Sequence, residues 1–307
     1  MKIIITAANG FIGKSLVNHF KIENEVICFV RKIDAKLKSE FGENVKMIIW
    51  DGKSKGAWVE ELENSDVLIN LAGKSVDCRY NKENKKKIYA SRLESTKVLG
   101  DAISSLKNKP KVWLNAASAT IYKHSLTVPN TEKNGIIGEG FSVDVCQQWE
   151  KSFFDFKVLG VRQIALRTAI VLGKNGGVMK PFNRLVNFGL GGKMGSGNQQ
   201  FSWIHEKDVC SAISFLIDNK ESSGVYNISA PNPTTNAVFM KTLRKTNKAI
   251  FGIPSPNWLL KIGAWLINTE TELILKSRYV IPEKLMEEGF EFEFKTIELC
   301  LNDLKKN

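Results

Sequence analysis

The first twenty residues constrain the fold more than any other part of this 307-residue chain. Residues 1–5 form a short apolar run typical of a buried strand, and residues 14–20 carry the apolar spacing of a helix. The turn between them consists mostly of small residues. A strand, a tight turn and a helix in this order present backbone N–H groups to the diphosphate of a dinucleotide. We therefore assign a diphosphate site to Thr6, Ala8, Asn9, Gly10, Phe11 and Ile12.

Strands and helices alternate through the first two-thirds of the chain. The predicted strands cover residues 25–30, 45–50, 66–71, 111–116, 162–166 and 225–228, and the predicted helices cover residues 84–106, 143–159 and 207–218. This alternation predicts an α/β fold of the Rossmann type, a doubly wound parallel sheet that binds its ligands at the carboxyl ends of the strands.

The pattern changes after Gly173, where glycines become frequent and prolines later separate short segments. We expect loops to dominate residues 173–202. The change divides the chain into a dinucleotide-binding domain of residues 1–173 and 205–230 and a smaller, mostly C-terminal substrate lobe of residues 174–204 and 231–307.

Composition limits the class of protein. Apolar residues make up 43% and charged residues 25%, as in soluble globular proteins. No apolar run approaches the roughly 18 residues of a membrane span, and no leader-like segment precedes the first strand. The five cysteines include no C-x-x-C pair, which favours reduced thiols. We expect a cytoplasmic protein with no membrane partner and, without Cys/His clusters, no metal.

The net charge of +12 would suit nucleic acid, a membrane surface or an anionic ligand. The densest basic run, residues 82–87, contains no aromatic residue and lies near no DNA-reading motif. We interpret it as the solvated face of a helix and expect no nucleic-acid partner. A phosphate-rich cofactor accounts for the sign of the charge.

The end of the second strand indicates which dinucleotide binds. An acidic residue there binds a free ribose 2′-hydroxyl, whereas arginine accommodates a 2′-phosphate. This strand ends in Arg31 and Lys32, with no acid before Asp34. The sequence therefore favours NADP(H), held by Arg31 and Lys32. Asp51, after the third strand, could hydrogen-bond the adenine or cap a turn.

Two motifs resemble those of extended short-chain dehydrogenases/reductases. Residues 6–13, T-A-A-N-G-F-I-G, resemble the superfamily's T-G-x-x-G-F-I-G, with Ala7 in place of the first glycine, and residues 70–73, N-L-A-G, resemble its N-x-A-G. Residues 191–205, with 230–233 and 278–282, resemble more specifically an epimerase/dehydratase-like subgroup of uncertain substrate that ends in a domain of unknown function. The resemblance implies NADP(H) binding and redox or epimerase chemistry on a small molecule. We add Leu71, Ala72, Gly73, Arg92 and Ser118 to the cofactor site, although Arg92 could equally bind an anionic substrate.

The catalytic pair of that superfamily is missing. Its enzymes use Tyr-x-x-x-Lys on a helix, where the lysine lowers the pKa of the tyrosine. No tyrosine here has lysine four residues later. If Glu150 matches the superfamily's downstream acid, Ser142 and Cys146 occupy the two positions. This departure puts ordinary ketone reduction and 4-epimerisation in doubt.

Three residues are candidates to replace the pair. Ser118 could hold a substrate oxygen or cap a helix, and Tyr122 could supply a phenol of ordinary pKa. His205 could be a general acid/base or a structural hydrogen-bonding group between the two parts of the chain. Two hypotheses remain open: an NADP(H)-dependent oxidoreductase or epimerase, and a non-catalytic NADP(H)-binding sensor that acts through a protein partner. The oligomeric state is open as well.

Overall fold

The computed structural model describes residues 1–256, 258, 260 and 276–306. The strands are β1 (Lys2–Thr6), β2 (Glu25–Val30), β3 (Lys46–Ile49), β4 (Val67–Asn70), β5 (Val112–Ser118), β6 (Arg162–Thr168), β7 (Ile170–Gly173), β8 (Gly176–Gly177), β9 (Gln200–Phe201), β10 (Trp203–His205), β11 (Gly224–Ile228) and β12 (Thr234–Thr235). The helices of the described residues are α1 (Phe11–Phe20), α2 (Ala35–Phe41), α3 (Val59–Leu62), α4 (Lys82–Ser105), α5 (Phe141–Phe154), α6 (Met179–Asn187), α7 (Glu206–Asp218), α8 (Asn236–Thr246), α9 (Glu283–Glu287) and α10 (Ile297–Lys306).

The central sheet confirms the predicted doubly wound fold. Its seven strands have the order β3-β2-β1-β4-β5-β6-β11, and every neighbouring pair is parallel. The order reverses between β1 and β4, so a crevice opens at the carboxyl ends of these strands. That crevice is where the predicted site residues of β1, β2 and β4 meet.

Alternation along the strands divides the core into two layers. In β1, Ile3 and Ile5 belong to the layer that contains α1 and α7, and Ile4 belongs to the layer that contains Trp113 and Phe153. Successive side chains of a strand point to opposite faces of the sheet, so a continuous apolar run is buried on both sides. The amino-terminal run therefore forms a central strand.

Three predictions of secondary structure need correction. The predicted helix 143–159 ends at Phe154, because Lys157 and Gly160 adopt positive φ angles of 42° and 78°. Loops were expected to dominate residues 173–202, but Met179–Asn187 within this segment form the helix α6, which contains no glycine and has Pro181 in its first turn, where no intrahelical bond is lost. The helices α8 and α10 are longer than the short segments expected after residue 231.

Residues outside the main sheet form further elements. The strands β10, β7 and β8 make a small mixed sheet, and β12 pairs antiparallel with β9. A separate apolar cluster includes Trp203, Phe239 and Leu301, whereas Leu285 and Phe290 pack in the layer of α1 and α7. The division into two domains thus remains a prediction. None of the described helices combines the length and apolar character that crossing a membrane requires.

Candidate functional site

The turn after β1 brings the backbone of α1 close to the strand. Ala7 adopts a φ of 50°, a left-handed conformation that favours glycine, and its carbonyl accepts a hydrogen bond from Gly10 N at 2.9 Å. A Cβ atom on Gly13 would lie 2.7 Å from Ala7 O and 2.8 Å from Ala8 Cα. Gly10 is the N-cap of α1 and no side chain caps this helix, so its first-turn N–H groups remain available to a ligand.

A buried chain of hydrogen bonds joins the carboxyl ends of β1 and β4 to the middle of β5. Thr6 Oγ1 donates to Asn70 Oδ1 at 2.7 Å, and Asn70 Nδ2 donates to Asn115 Oδ1 at 2.7 Å. Leu71 N donates to Thr6 Oγ1 and Ala72 N to Asn70 Oδ1, at 3.0 and 3.1 Å. Thr6 and Leu71 therefore stabilise the ends of β1 and β4, where the crevice opens. Asn115 was not predicted as a site residue; its only sequence signal is a polar side chain within an apolar strand, and the structure places it in register with Asn70.

A cavity of about 650 Å³ lies in the crevice. Several predicted cofactor residues line it: Asn9, Gly10, Arg31, Asp51, Ala72 and Gly73. Thr6, Ala8, Phe11, Ile12, Lys32, Leu71, Arg92 and Ser118 are not among its lining residues. Thr6 and Ala8 are buried, and Lys32 is exposed beside Arg31.

The cavity wall contains cationic side chains. Arg31, Lys53, Lys74 and Lys87 line it, and Lys53 lies 3.6 Å from the carboxylate of Glu94. Within the described part of the chain, the exposed guanidinium of Arg31 makes no hydrogen bond or ion pair. The charge of Arg31 is therefore available to an anionic group that enters the cavity.

Asp51 fulfils one of its two predicted alternatives and is compatible with the other. Its Oδ1 accepts hydrogen bonds from Lys53 N at 2.8 Å and Ser54 N at 3.0 Å. These bonds, that of Ser54 foremost, lower the pKa of the Asp51 carboxyl. The residue thus caps a turn while it lines the cavity.

An aromatic cluster forms one wall of the cavity. The rings of Phe29, Trp50 and Trp58 lie 5.6 to 5.8 Å apart, centroid to centroid, and the first two line the cavity. This wall was not predicted from the sequence, because its members come from β2 and from segments after β3.

Arg92 lies behind the cavity. Its Nη1 donates to the carbonyls of Lys74 at 3.0 Å and Ile88 at 3.2 Å, and its Cζ lies 4.9 Å from the ring centroid of Trp149. Burial lowers the pKa of the guanidinium. Its Cζ is 3.4 Å from the position a Cβ on Gly73 would take. Arg92 therefore supports the loop that carries two cavity residues, Gly73 and Lys74.

Ser118 and Tyr122 engage in local and long-range hydrogen bonds. Ser118 Oγ accepts from Thr120 N at 3.2 Å and donates to Thr120 Oγ1, so it caps the 3₁₀ turn at Ala119–Ile121. Tyr122 is fully buried; its hydroxyl donates to Asn227 Oδ1 and accepts from Arg167 Nη1, each at 2.9 Å. Burial raises the pKa of the Tyr122 phenol.

His205 joins α7 and α10. Its Nδ1 accepts a hydrogen bond from Lys207 N at 3.0 Å, and its Nε2 lies 3.3 Å from Asp303 Oδ2. The imidazole is buried and stacks on Phe294, and burial lowers its pKa to about 4. His205 is therefore neutral at pH 7, and neither it nor Tyr122 lines the cavity.

Comparisons with known proteins identify the family. The model of the NAD dependent epimerase/dehydratase family matches residues 3–137, and that of a domain of unknown function, DUF1731, matches residues 255–304. An epimerase family protein of Staphylococcus aureus strain MRSA252 is 32% identical over 303 residues, which cover 98% of this chain and 98% of that protein. The chain belongs to the NAD dependent epimerase/dehydratase family.

Solved structures agree with this membership. The human epimerase family protein SDR39U1 (isoform 2), solved with NADPH, has a TM-score of 0.85 and 27% identity, with complete coverage of both chains. A nucleoside-diphosphate sugar epimerase of Corynebacterium glutamicum has a TM-score of 0.77 and 25% identity; the match covers all of this chain and 59% of that one. The predicted resemblance is confirmed, and the family is one that binds NAD or NADP.

The helix that carries the superfamily's catalytic pair has different chemistry here. Ser142 and Cys146 lie four residues apart on the buried face of α5. Burial raises the pKa of the Cys146 thiol to about 12, so the sulfur stays protonated at neutral pH. Arg167, on the adjacent β6, donates two hydrogen bonds to the carboxylate of Glu150, at 2.8 and 2.7 Å. This epimerase family member therefore lacks an ionisable pair poised near neutrality on α5.

Proposed function

We propose that the protein binds NADP(H) in the 650 Å³ cavity and acts as an oxidoreductase or epimerase on a small molecule. The observation that carries the cofactor choice is Arg31, a cation at the cavity wall without a partner in the described chain. A planar guanidinium suits bidentate contact with the 2′-phosphate that distinguishes NADP from NAD. The human relative solved with NADPH supports the same choice.

The remaining contacts follow from the shape of the crevice. The first-turn N–H groups of α1 would bind the diphosphate, and the aromatic wall of Phe29 and Trp50 would exclude water from the adenine. Bound NADP(H) would supply or accept a hydride. The contacts of Arg92 with neutral carbonyls leave its charge available to attract an anionic group of the cofactor or substrate.

The exchange of Arg31 for alanine tests the cofactor choice. Because a hydrogen bond to a charged group contributes about 1.5–3 kcal/mol, we expect NADPH affinity to fall roughly 10–100-fold. NADH, which has no 2′-phosphate, should lose less than about threefold. Lys36→Ala is the matched control, because Lys36 is an exposed cation on α2 that does not line the cavity. Isothermal titration calorimetry gives the affinities of wild type and of both variants for each cofactor, and an equal loss for both cofactors in Arg31→Ala would contradict the assignment.

A second candidate function is non-catalytic NADP(H) binding that is read out by a protein partner. The observation that favours it is the engagement of Tyr122 and His205 in buried contacts outside the cavity. Nicotinamide absorbance and product analysis together distinguish the two functions. Net loss of NADPH absorbance with any member of a broad carbonyl panel supports an oxidoreductase. Because an epimerase regenerates its cofactor, formation of an epimer without loss of absorbance supports an epimerase, and tight NADPH binding with neither change supports the binding protein.

A further inference from the structure

The side chain of Phe11 lies against the β7–β8 hairpin. A Cβ atom on Gly176 would be 2.3 Å from Phe11 Cδ2 and 2.5 Å from Cγ, and a Cβ on Gly173 would be 2.4 Å from Cζ. Both glycines therefore let the hairpin backbone touch the ring from its base to its tip. Glycine is needed at positions 173 and 176 for space and not for backbone conformation, because neither residue adopts a positive φ. Their neighbour Gly177 does, with a φ of 63°.

A second contact ties the same two elements together. Glu206, the first residue of α7, accepts a hydrogen bond from Ser15 Oγ at 2.9 Å and from Lys174 N at 3.0 Å. Ser15 lies one turn along α1 from Phe11, and Lys174 lies in the turn of the hairpin. One carboxylate thus joins the start of α1 to the hairpin, independently of the aromatic contact.

We infer that the β7–β8 hairpin fixes the first turn of α1 for the cofactor diphosphate, and that Gly176 is a positioning residue of this site. The inference rests on the proposed NADP(H) binding. Phe11 is the first residue of α1, so its backbone N–H belongs to the turn that would bind the diphosphate, while its side chain is held by the hairpin. Neither Gly176 nor Glu206 lines the cavity, so each acts through the position of α1.

The adenosine end of the cavity is held by other contacts. Arg31 follows β2, which pairs with β1 and β3 in the central sheet, and the aromatic wall packs on the opposite core layer. A shift of α1 should therefore weaken binding of the diphosphate and leave binding of the 2′-phosphorylated adenosine unchanged. Adenosine 2′-monophosphate, which has no diphosphate, is a probe of that end alone.

The experiment measures the affinities of the full chain for NADPH and adenosine 2′-monophosphate by calorimetry. In Gly176→Ala the new methyl displaces Phe11, and we expect NADPH to bind at least about tenfold more weakly, the equivalent of one lost charge-assisted hydrogen bond. Adenosine 2′-monophosphate should stay within about twofold of wild type. Gly56→Ala is the control, since its Cβ would meet its nearest neighbour, Trp58 Cδ1, at an ordinary 3.5 Å.

A double variant identifies the contact responsible. Phe11→Ala removes the ring, so Gly176→Ala should cause no further loss of NADPH affinity in that background. Additive losses in the double variant, equal losses for both ligands, or wild-type NADPH affinity in Gly176→Ala would each overturn the positioning role. If circular dichroism shows that Gly176→Ala is unfolded, Glu206→Gln takes its place, with the same selective loss for NADPH expected and the same contrary outcomes. A wild-type protein that binds neither ligand would instead refute the proposed function, and the inference with it.

Discussion

The cavity and the buried cluster around Tyr122 use their polar groups in opposite ways. Around the cavity, Arg31 has no partner in the described chain and the first turn of α1 has no side-chain cap. Behind β5 and β6, the hydroxyl of Tyr122 and the guanidinium of Arg167 bind each other and neighbouring residues. A buried polar group without a partner lowers the stability of the fold, so a cluster in which the polar groups bind each other is stabilising. Hydrogen-bond donors without an acceptor at a cavity can instead bind a ligand. The difference supports the proposed ligand site at the amino-terminal turn.

The largest effect that tests this comparison is the loss of NADPH affinity expected in Gly13→Ala. Its methyl would lie 2.7 Å from Ala7 O and 2.8 Å from Ala8 O, and both are backbone atoms that move only if the whole turn moves. Displacing two charge-assisted hydrogen bonds of about 1.5–3 kcal/mol each should weaken NADPH binding more than about 100-fold. Calorimetry checks this, with Gly56→Ala as the control. Unchanged NADPH affinity in a folded Gly13→Ala protein would break the assignment of the diphosphate to this turn.

The sequence could predict residues that line the cavity, such as Gly10 and Arg31, because their signals are local. The fingerprint of residues 6–13 and Arg31, which follows β2, each lie within one strand–turn unit. The capping role of Ser118 could be predicted for the same reason, because its hydrogen-bond partner, Thr120, is two residues away. Asn115 and the aromatic wall depend on the order of the strands, which the sequence does not state residue by residue.

Tyr122 and His205 show the limit of this reasoning most clearly. The partner of the Tyr122 hydroxyl, Asn227, is 105 residues away, and Asp303, beside His205, lies on the last described helix. No local pattern reveals that such distant residues meet. Spacing along a helix could identify the missing catalytic pair, but it could not show which replacements are buried.

A stability effect of about 3 kcal/mol is expected at His205. Burial lowers its pKa from the ordinary 6.5 to about 4, opposed by Asp303 and reinforced by Lys207. Between pH 6.5 and 4 the unfolded chain therefore binds a proton that the folded chain does not. This contribution to the free energy of unfolding is complete above pH 6.5 and is lost as the pH falls towards 4, and it amounts to about 3 kcal/mol in all.

Urea unfolding at pH 7.5, 6 and 4.5 measures that dependence. His205→Asn is the matched variant, because asparagine retains an N-cap acceptor for Lys207 N and does not titrate. Its stability should fall less steeply with decreasing pH than that of wild type. Parallel pH curves would contradict a buried neutral imidazole, and a loss of NADPH turnover without a change in the pH curve would restore His205 as an acid/base.

The smallest effect is the loss of stability expected in Tyr122→Phe, which tests the structural role of the cluster around Tyr122. Loss of the hydroxyl leaves Asn227 Oδ1 without its donor and Arg167 Nη1 without its acceptor, so the free energy of unfolding should fall by about 1–3 kcal/mol. NADPH affinity should stay within about twofold, since the phenol lies outside the cavity. Tyr89→Phe is the control: it removes a hydroxyl bonded to Asp144 at the surface, where the cost should be below about 1 kcal/mol. If Tyr122→Phe instead abolished turnover of a carbonyl substrate while its stability matched that of wild type, the phenol would be catalytic. The contrast between a ligand-binding cavity and a structural cluster around Tyr122 would then fail.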